Sequence, residues 1–277
     1  MHMLLLSTIL AAWGSGPAPL TAAGAAGPMI PAGHFPETAE PSGRDLRRQE
    51  QAPGSVYRVL FLRAAPGHLT ELIDLYRDRI AVLVAAGEAR PVFMRHSQGD
   101  QWDLMLLFPV AGLEEYFSAA RARRLARSAG DGLAGARFEA RLRAITAWRE
   151  ELFVDGPTAD TVAVRNRDAG FYHVEVFRAL PGRYDDLVEQ RRMENAYYHA
   201  TRRAGNLIFT RLAGASWDTF TIGFYGDIEE FAATPDLPPE VFERAAREAG
   251  FESRGTIGTY LRSLIDEHHD TLATRVE

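Results

Sequence analysis

The alternation of apolar and polar positions along the chain predicts the same order of elements twice. Residues 57–63 and residues 172–178 each have the pattern of a strand, because β-branched and aromatic side chains alternate before a Pro-Gly turn. A helix with residues at three- and four-residue spacing follows each strand. A hairpin and further helical segments complete each half. The order β-α-β-β-α is that of the split βαβ, ferredoxin-like plan.

The two halves also share residues at matching positions, which indicates an internal repeat. The segment Tyr57–Gly67 matches Tyr172–Gly182 without a gap at the Tyr, Val, Arg-Ala and Pro-Gly positions. Four shorter matches follow in the same order. We therefore expect two ferredoxin-like units, at residues 56–155 and 170–277, with the polar stretch Ala159–Arg167 as a linker.

The repeated pattern is a strand ending in Arg-x-x-Pro-Gly, an amphipathic helix and a hairpin with a glycine turn. It resembles the antibiotic-biosynthesis-monooxygenase-like members of the dimeric α+β barrel superfamily, over most of residues 56–277. The resemblance implies an α+β fold in which the two tandem units pair as one barrel within the chain. That superfamily includes cofactor-free oxygenases, haem-dependent enzymes, isomerases and proteins without a known activity, so the fold does not specify the function.

The first residues have the pattern of an exported protein. An apolar run from Leu4 to Trp13 has the length of a signal-peptide core, and small residues follow it. We therefore expect a signal peptide at residues 1–26 and a disordered tether at residues 27–55, which are rich in Pro, Gly, Ala and charge. The mature protein would be periplasmic or secreted, without an integral membrane segment. The alternative is an Ala/Gly leader with a misassigned start codon.

The composition narrows the class of partner. The chain carries 31 Lys and Arg against 37 Asp and Glu, and this net charge of -6 argues against a nucleic-acid-binding surface. The absence of cysteine excludes thiol catalysis, disulfides and cysteine-bound metals. No Gly-x-Gly-x-x-Gly segment follows a strand, and the sequence has no phosphate loop or nucleophile elbow. We expect a small-molecule ligand and a monomer or homodimer.

Strand alternation gives the first candidate site. His173, Glu175 and Phe177 share one face of the first strand in the second unit, while Val174 and Val176 share the other face. We expect the first three residues in the barrel interior and the two valines against the helices. His173 and Glu175 would then orient each other, and a buried Glu175 would need a polar partner. The alternative is a solvent-exposed polar face.

The segment Asp266–Asp270 gives a second candidate site, because it places two histidines beside three carboxylates. We predict a helix here, on which the adjacent His268 and His269 point in different directions, so that at most one is a ligand or base. The alternative is a charged helix end at which histidine complements the helix dipole. A zinc site would need histidines at i and i+4, so no metal site is predicted.

Other candidates lie on the first helix and the hairpin of the second unit. Tyr198 and His199 are on the helix, where a polar tip is expected to reach a cavity mouth. Arg211 and Trp217 recur at equivalent positions of the first unit, which also suits a role in bracing the sheet. Arg211 is a candidate partner for the buried carboxylate. Asn206 follows a glycine at a helix end and is interpreted as a turn residue.

These observations leave two main hypotheses. The first is a binding module that holds a small apolar or aromatic ligand, mainly in the second unit. The second is a cofactor-free or haem-dependent oxygenase-type enzyme, with a histidine as base or ligand. An interaction platform is a third reading. We favour the binding module, assign no catalytic residue, and leave the cofactor unknown with haem as the leading alternative. The predicted ligand-binding residues are His173, Glu175, Phe177, Tyr198, His199, Arg211, Trp217, His268 and His269.

Overall fold

The computed structural model describes residues 54–128 and residues 134–277. The predicted signal peptide and nearly all of the predicted tether lie outside these residues, as does the segment 129–133. The predictions of export and of a disordered tether therefore stay predictions.

The described chain contains two series of elements in nearly the predicted order. The first series is β1 (Ser55–Ala64), α1 (Leu69–Ala85), β2 (Val92–Gln98), β3 (Leu104–Val110), α2 (Leu113–Tyr116), α3 (Ala119–Ser128), α4 (Ala134–Ile145) and β4 (Thr146–Gly156). Helix α5 (Ala159–Asn166) leads to the second series. This comprises β5 (Phe171–Ala179), α6 (Tyr184–Ala200), β6 (Leu207–Gly214), β7 (Thr219–Tyr225), α7 (Ile228–Ala232), α8 (Pro239–Glu248), the 3-10 turn Arg254–Thr256, α9 (Ile257–Arg262) and β8 (Ile265–Arg275).

The eight strands close one antiparallel barrel, in the order β1-β3-β2-β8-β5-β7-β6-β4. The strands of each unit pair with one another, and the units join at two seams, where β2 pairs with β8 and β4 pairs with β6. Both seams are made within a single chain. The predicted pairing of two tandem ferredoxin-like units as an intrachain α+β barrel is confirmed.

A Pro-Gly pair sets the turn between the first strand and the first helix of each unit. Gly67 has φ +82° and Gly182 has φ +77°, in the left-handed region that residues with a Cβ rarely adopt. After the first turn, helix α1 buries Leu72, Tyr76 and Ile80, which recur at helical spacing. The turn and the apolar stripe together direct this helix back across the outer face of the sheet.

The barrel interior is an apolar core to which all eight strands contribute. Val59 of β1, Val154 of β4 and Ile222 of β7 belong to this core, together with Val174 and Val176 of β5. A second apolar layer lies outside the barrel, between the sheet and the helices of each unit. Strands β1, β3 and β5 are therefore buried on both faces along most of their length.

The predicted orientation of β5 is wrong. Val174 and Val176 point into the barrel, so His173, Glu175 and Phe177 point outward, where α6 covers Glu175 and Phe177. The reason is that α6 covers this part of the outer face, so that β5 is buried on both of its faces. Alternation separates the two faces of a strand, but it does not identify the interior when both faces are covered.

The C-terminal segment also differs from the prediction. Asp266–Asp270 lies on strand β8 and not on a helix, and β4 is the corresponding final strand of the first unit. Each of these strands pairs on both sides, β4 with β1 and β6, and β8 with β5 and β2. Polar residues form strands here because distant partners satisfy their backbone groups, which the local pattern does not show.

The connection between the units is a helix, where the sequence predicts a polar linker. Within Ala159–Arg167, helix α5 extends to Asn166, and the backbone N–H of Thr161 donates to Oγ1 of the N-cap residue Thr158 at 3.2 Å. Val162 anchors this helix in the interior core. None of the described helices is long and apolar enough to cross a membrane.

Candidate functional site

Two histidines and two carboxylates converge on the outer face of β5 and β8. The antiparallel register places Glu175 opposite Asp270 and Phe177 opposite His268. Nε2 of His173 lies 3.0 Å from Oδ1 of Asp270. Nε2 of His268 lies 3.5 Å from the same Oδ1 and 3.6 Å from Oε1 of Glu175. We call His173, Glu175, His268 and Asp270 the His-carboxylate cluster.

Three side-chain donors contact the Oε2 oxygen of the Glu175 carboxylate. Its Oε2 accepts hydrogen bonds from Oγ1 of Thr221 at 2.8 Å and from Nδ2 of Asn206 at 3.3 Å. Nη1 of Arg191, a buried residue of α6, lies 3.5 Å from the same oxygen. Arg191 also forms an ion pair with Glu194. These contacts fix the orientation of Glu175 and leave Oε1 directed toward His268.

Aromatic contacts fix the rings on both sides of the cluster. The His268 ring stacks on Phe177, with 4.6 Å between ring centroids and 4° between planes. The guanidinium of Arg191 lies 4.9 Å from the centroid of the same phenylalanine. The Phe231 ring lies 5.2 Å from the His173 ring. The rings restrict the rotamers of both histidines, so the cluster is preorganised.

The pKa values show how strongly these groups interact. Burial alone would lower the pKa of His173, but its hydrogen bond to Asp270 and the neighbouring carboxylates raise that pKa above the usual value. Burial alone would raise the pKa of Glu175, but His268, Arg191 and His173 hold it well below the usual value. At neutral pH Glu175 is therefore a buried, ionised carboxylate.

The structure brings together only part of the predicted site. His173, Glu175, Phe177 and His268 are neighbours, and the hydroxyl of Tyr198 reaches the cluster indirectly by donating to Glu194 at 2.6 Å. Four other predicted residues make different contacts. Arg211 pairs with Asp218 at 2.6 Å, and the indole N–H of Trp217 donates to Glu150 at 3.1 Å. His269 lies beside Asp100 and Trp217. His199 packs close to Gly205.

Arg211 is therefore not the partner of the buried carboxylate. That role belongs to Arg191, Asn206 and Thr221, which the predicted site omitted. Asn206, interpreted from the sequence as a turn residue, is buried and donates to Glu175. The sequence does contain one signal for Arg191, because an arginine occupies the apolar stripe of α6 at the position that corresponds to Tyr76. A charged residue in such a stripe indicates a buried charged partner.

A pocket of about 140 Å³ lies in the first unit, between the outer face of the sheet and the helices. We call it the first-unit pocket. The sequence predicts the ligand mainly in the second unit, and the predicted ligand-binding residues include none of those that line this pocket. They include four arginines and four aromatic residues: Arg58, Arg79, Arg121, Arg149, Tyr76, Phe108, Tyr116 and Phe138. A wider cleft of about 380 Å³ adjoins it and shares Glu88, Tyr116 and Arg121.

Arg79 differs from the other arginines of the pocket. Nε of Arg58 lies 2.6 Å from Oε1 of Glu151, Arg149 pairs with the same glutamate, and Arg121 pairs with Glu88. Among the described residues, no carboxylate lies within 4.0 Å of the Arg79 guanidinium, which stands 5.1 Å from the centroid of the Phe138 ring. Burial, together with Arg58 and Arg121, lowers the pKa of Arg79, although the carboxylate of Glu139, which also lines the pocket, acts in the opposite direction.

The pocket and the His-carboxylate cluster occupy equivalent places in the two units. When Tyr57 is aligned with Tyr172, Arg58 corresponds to His173 and Tyr76 to Arg191. Across the sheet, Arg149 and Glu151 of the first unit correspond to His268 and Asp270 of the second. This follows because the pairing of β1 with β4 repeats in β5 with β8. One position in the repeat therefore carries two different constellations.

Comparison with known proteins adds to this picture. The sequence matches no known protein-family model and no curated protein. Among solved structures, an anthrone oxidase-like protein is 12% identical, with a TM-score of 0.53 over 83% of this chain and 94% of that chain. A mutant chlorite dismutase from Candidatus Nitrospira defluvii is 11% identical, with a TM-score of 0.44 over 81% and 92% of the chains. A heme-binding protein from Thermus thermophilus is 13% identical, with a TM-score of 0.39 over 81% and 92%.

At such low identities, similarity concerns the fold alone. The match to the anthrone oxidase-like protein extends over most of both chains, and the eight-stranded closed barrel agrees with it. The chain therefore has the dimeric α+β barrel fold, with both ferredoxin-like units carried by one polypeptide.

Proposed function

We propose that the protein binds a small aromatic anion in the first-unit pocket, with Arg79 as the residue that recognises the negative charge. The main support for this proposal is the environment of the Arg79 guanidinium. It has aromatic neighbours and no carboxylate at ion-pair distance among the described residues. Glu139 attracts this cation only from beyond 4.0 Å, and other arginines lie near it, so an anionic ligand that adds negative charge at close range is favoured there.

The size and lining of the pocket define the ligand further. An apolar cavity of about 150 Å³ accommodates benzene, and the first-unit pocket has a volume of about 140 Å³. Its aromatic side chains offer ring faces and edges to a single substituted ring. Burial raises the pKa of Tyr76 to about 12, so its hydroxyl remains protonated and can donate a hydrogen bond. Benzoate combines these features and is a suitable probe.

Isothermal titration with benzoate and benzamide tests the binding proposal. We expect benzoate to bind and benzamide, which has the same shape without the charge, to bind at least about tenfold more weakly. The Arg79→Gln variant should lose a similar factor for benzoate. Arg192→Gln, which alters an exposed arginine of α6, is the matched control. Equal affinity for benzoate and benzamide, or unchanged affinity in Arg79→Gln, would reject the proposal.

A second candidate function is oxygenase-type catalysis on a small hydroxyarene without a cofactor. The likeness to an anthrone oxidase-like protein supports this candidate at the level of fold. Arginines beside a bound ring would favour the phenolate, the electron-rich form that reacts with dioxygen. Oxygen uptake with hydroquinone is the test, and it should exceed both the spontaneous rate and the rate with Arg79→Gln. Uptake equal to the spontaneous rate would eliminate this candidate.

Haem does not fit the residues of either site. The first-unit pocket, with a volume close to that of a benzene cavity, is too small for a porphyrin, and no histidine lines it. In the second unit, Phe177 packs directly against Leu187 of α6, and Glu175 contacts Arg191. A macrocycle would have to displace these buried contacts. We therefore assign no step of the proposed function to haem.

Export from the cytoplasm is also part of the proposal, and the predicted signal peptide supports it. Cell fractionation with N-terminal sequencing tests this part. A mature protein that starts near residue 26 in the periplasm or medium is expected. A cytoplasmic protein with an intact Met1 would contradict it.

A further inference from the structure

We propose that the His-carboxylate cluster is a binding site for one divalent transition-metal ion. The site is in the second unit and is separate from the proposed ligand site. Its four candidate ligands are Nε2 of His173, Nε2 of His268, Oδ1 of Asp270 and Oε1 of Glu175. Mixed imidazole and carboxylate ligands suit zinc and neighbouring first-row metals.

Three of the distances between ligand atoms are close to those of tetrahedral coordination. Bonds of about 2.0–2.2 Å in a tetrahedron place neighbouring ligand atoms roughly 3.3–3.6 Å apart. These three separations are 3.0 Å for His173 with Asp270, 3.5 Å for His268 with Asp270, and 3.6 Å for His268 with Glu175. The ligand atoms of His173, Glu175 and Asp270 all lie within 4.8 Å of one another, a set that does not include His268. Side-chain movement would therefore be needed to bring all four ligand atoms around one ion.

His268 supplies a second and independent observation. Its Nε2 is shielded from solvent and makes no hydrogen bond within the described part of the chain, although two carboxylates lie nearby. A buried nitrogen that makes no hydrogen bond is unfavourable, because it has lost its hydrogen bonds to water. Nε2 is one of the two imidazole nitrogens that can coordinate a metal, and here it faces Glu175 and Asp270.

The surroundings of the ligands also favour a metal. Metal-binding side chains are usually oriented by hydrogen bonds from residues behind them. Here Oε2 of Glu175 accepts hydrogen bonds from Thr221, Asn206 and Arg191, so that Oε1 alone faces the histidines. The stacked Phe177 ring fixes His268. The Glu175 carboxylate and the His268 ring therefore need little reorganisation on binding.

The local charge balance has room for a cation. Glu175, Asp270 and Glu194 bring three negative charges, while Arg191 is the positive guanidinium in contact with two of them. Coordination to a metal requires deprotonated imidazoles, and with those the four charged groups sum to two negative charges, which a divalent ion would neutralise. The side chain of Asp270 is 42% exposed and gives the ion a route from solvent.

Titration of tag-free, chelator-treated protein with Co²⁺ tests the site, because tetrahedral Co²⁺ absorbs visible light. We expect one Co²⁺ per chain and displacement by Zn²⁺. His173→Gln and Asp270→Asn should each weaken binding by at least about tenfold, since loss of even a residue behind the ligands costs about 10–100-fold. His68→Gln is the matched control, because this histidine also pairs with a carboxylate but lies in the first unit.

Thermal unfolding of the unaltered protein provides a second measurement that does not depend on the variants. Zn²⁺ at about one hundred times its dissociation constant should raise Tm, because it binds only the folded state. The proposal would be overturned by the absence of saturable Co²⁺ binding or by the absence of a rise in Tm. It would also be overturned if His173→Gln and Asp270→Asn bound Co²⁺ as tightly as the unaltered protein. Neither experiment uses an aromatic anion, so their failure would leave the proposed function of the first unit intact.

Discussion

Arg191 shows how one residue changes what a repeated position can hold. The first unit has Tyr76 at this point of the helix, above Leu60 of the sheet, and both are part of an apolar cluster. The second unit has Arg191 above Glu175, and both are buried. Since a buried charge requires a partner, these two exchanges depend on each other.

Replacing this pair by the residues of the first unit tests that dependence. Arg191→Tyr alone should destabilise the protein by about 3–5 kcal/mol, because it leaves Glu175 buried without its guanidinium. The double variant Arg191→Tyr with Glu175→Leu should recover at least about 2 kcal/mol of this loss. Urea unfolding of both single variants and the double variant gives the coupling energy. Additive effects would contradict the dependence.

Glu151 offers a prediction about pH at the same scale. Burial would raise the pKa of Glu151, but Arg58 and Arg149 together lower it below its usual value. Because the folded pKa is lower than the unfolded value of about 4.3, ionised Glu151 stabilises the fold above that pH. This contribution is lost as the pH falls through the lower folded pKa.

Urea unfolding at pH 7, pH 4 and pH 3 measures this loss. The unaltered protein should lose more stability over that range than Glu151→Gln, which cannot ionise. Glu248→Gln, at an exposed glutamate, should resemble the unaltered protein. The same acid sensitivity in all three proteins would show that Glu151 makes no such contribution.

At the scale of elements, two glycines permit the close approach of strands at the seams. Gly99 has φ +127°, and a Cβ there would lie 2.1 Å from the carbonyl oxygen of Asp270 on β8. Gly214 has φ +83°, and its Cβ would lie 2.4 Å from the carbonyl oxygen of Glu151 on β4. The two positions correspond in the repeat, so each unit contributes one such glycine to a seam.

Alanine at either seam glycine should therefore be destabilising. We expect Gly99→Ala and Gly214→Ala each to cost about 2 kcal/mol or more, from backbone strain together with the steric clash. Gly135→Ala is the control, because Gly135 lies in α4 with nothing within 4 Å of its added Cβ. That variant should gain up to about 1 kcal/mol. Denaturant unfolding that ranks the three variants otherwise would refute the close-approach argument.

Elements also show how far the sequence is informative. The repeat around Tyr57 and Tyr172 predicts the order of elements and the intrachain barrel, because local patterns encode both. Strand β8 escapes prediction, since its charged residues are stabilised as a strand by pairing with β2 and β5, far away in the chain. The His-carboxylate cluster depends on that same pairing. The sequence therefore identifies His173, Glu175 and His268 as candidate site residues. It does not predict that they lie close to Asp270 and Arg191 in the fold.

At the scale of the whole molecule, the barrel makes each unit dependent on the other. Residues 56–155 contain β1 to β4 and would leave β2 and β4 without their partners β8 and β6. Open strand edges favour association. This half expressed alone should therefore be a dimer or insoluble. Sedimentation and light scattering can establish its state, and a stable, soluble monomer would contradict the dependence.

The position of β8 has a consequence for the synthesis of the protein. This strand lies between β2 of one unit and β5 of the other, yet it follows the other seven strands of the barrel in the sequence and leaves the ribosome after them. Until Ile265–Arg275 is released, two strands of the nascent chain each lack a neighbour, and such edges are sites of misassembly. Premature termination upstream of β8 thus removes a seam as well as a strand. The truncated protein would have open strand edges and would be prone to aggregate.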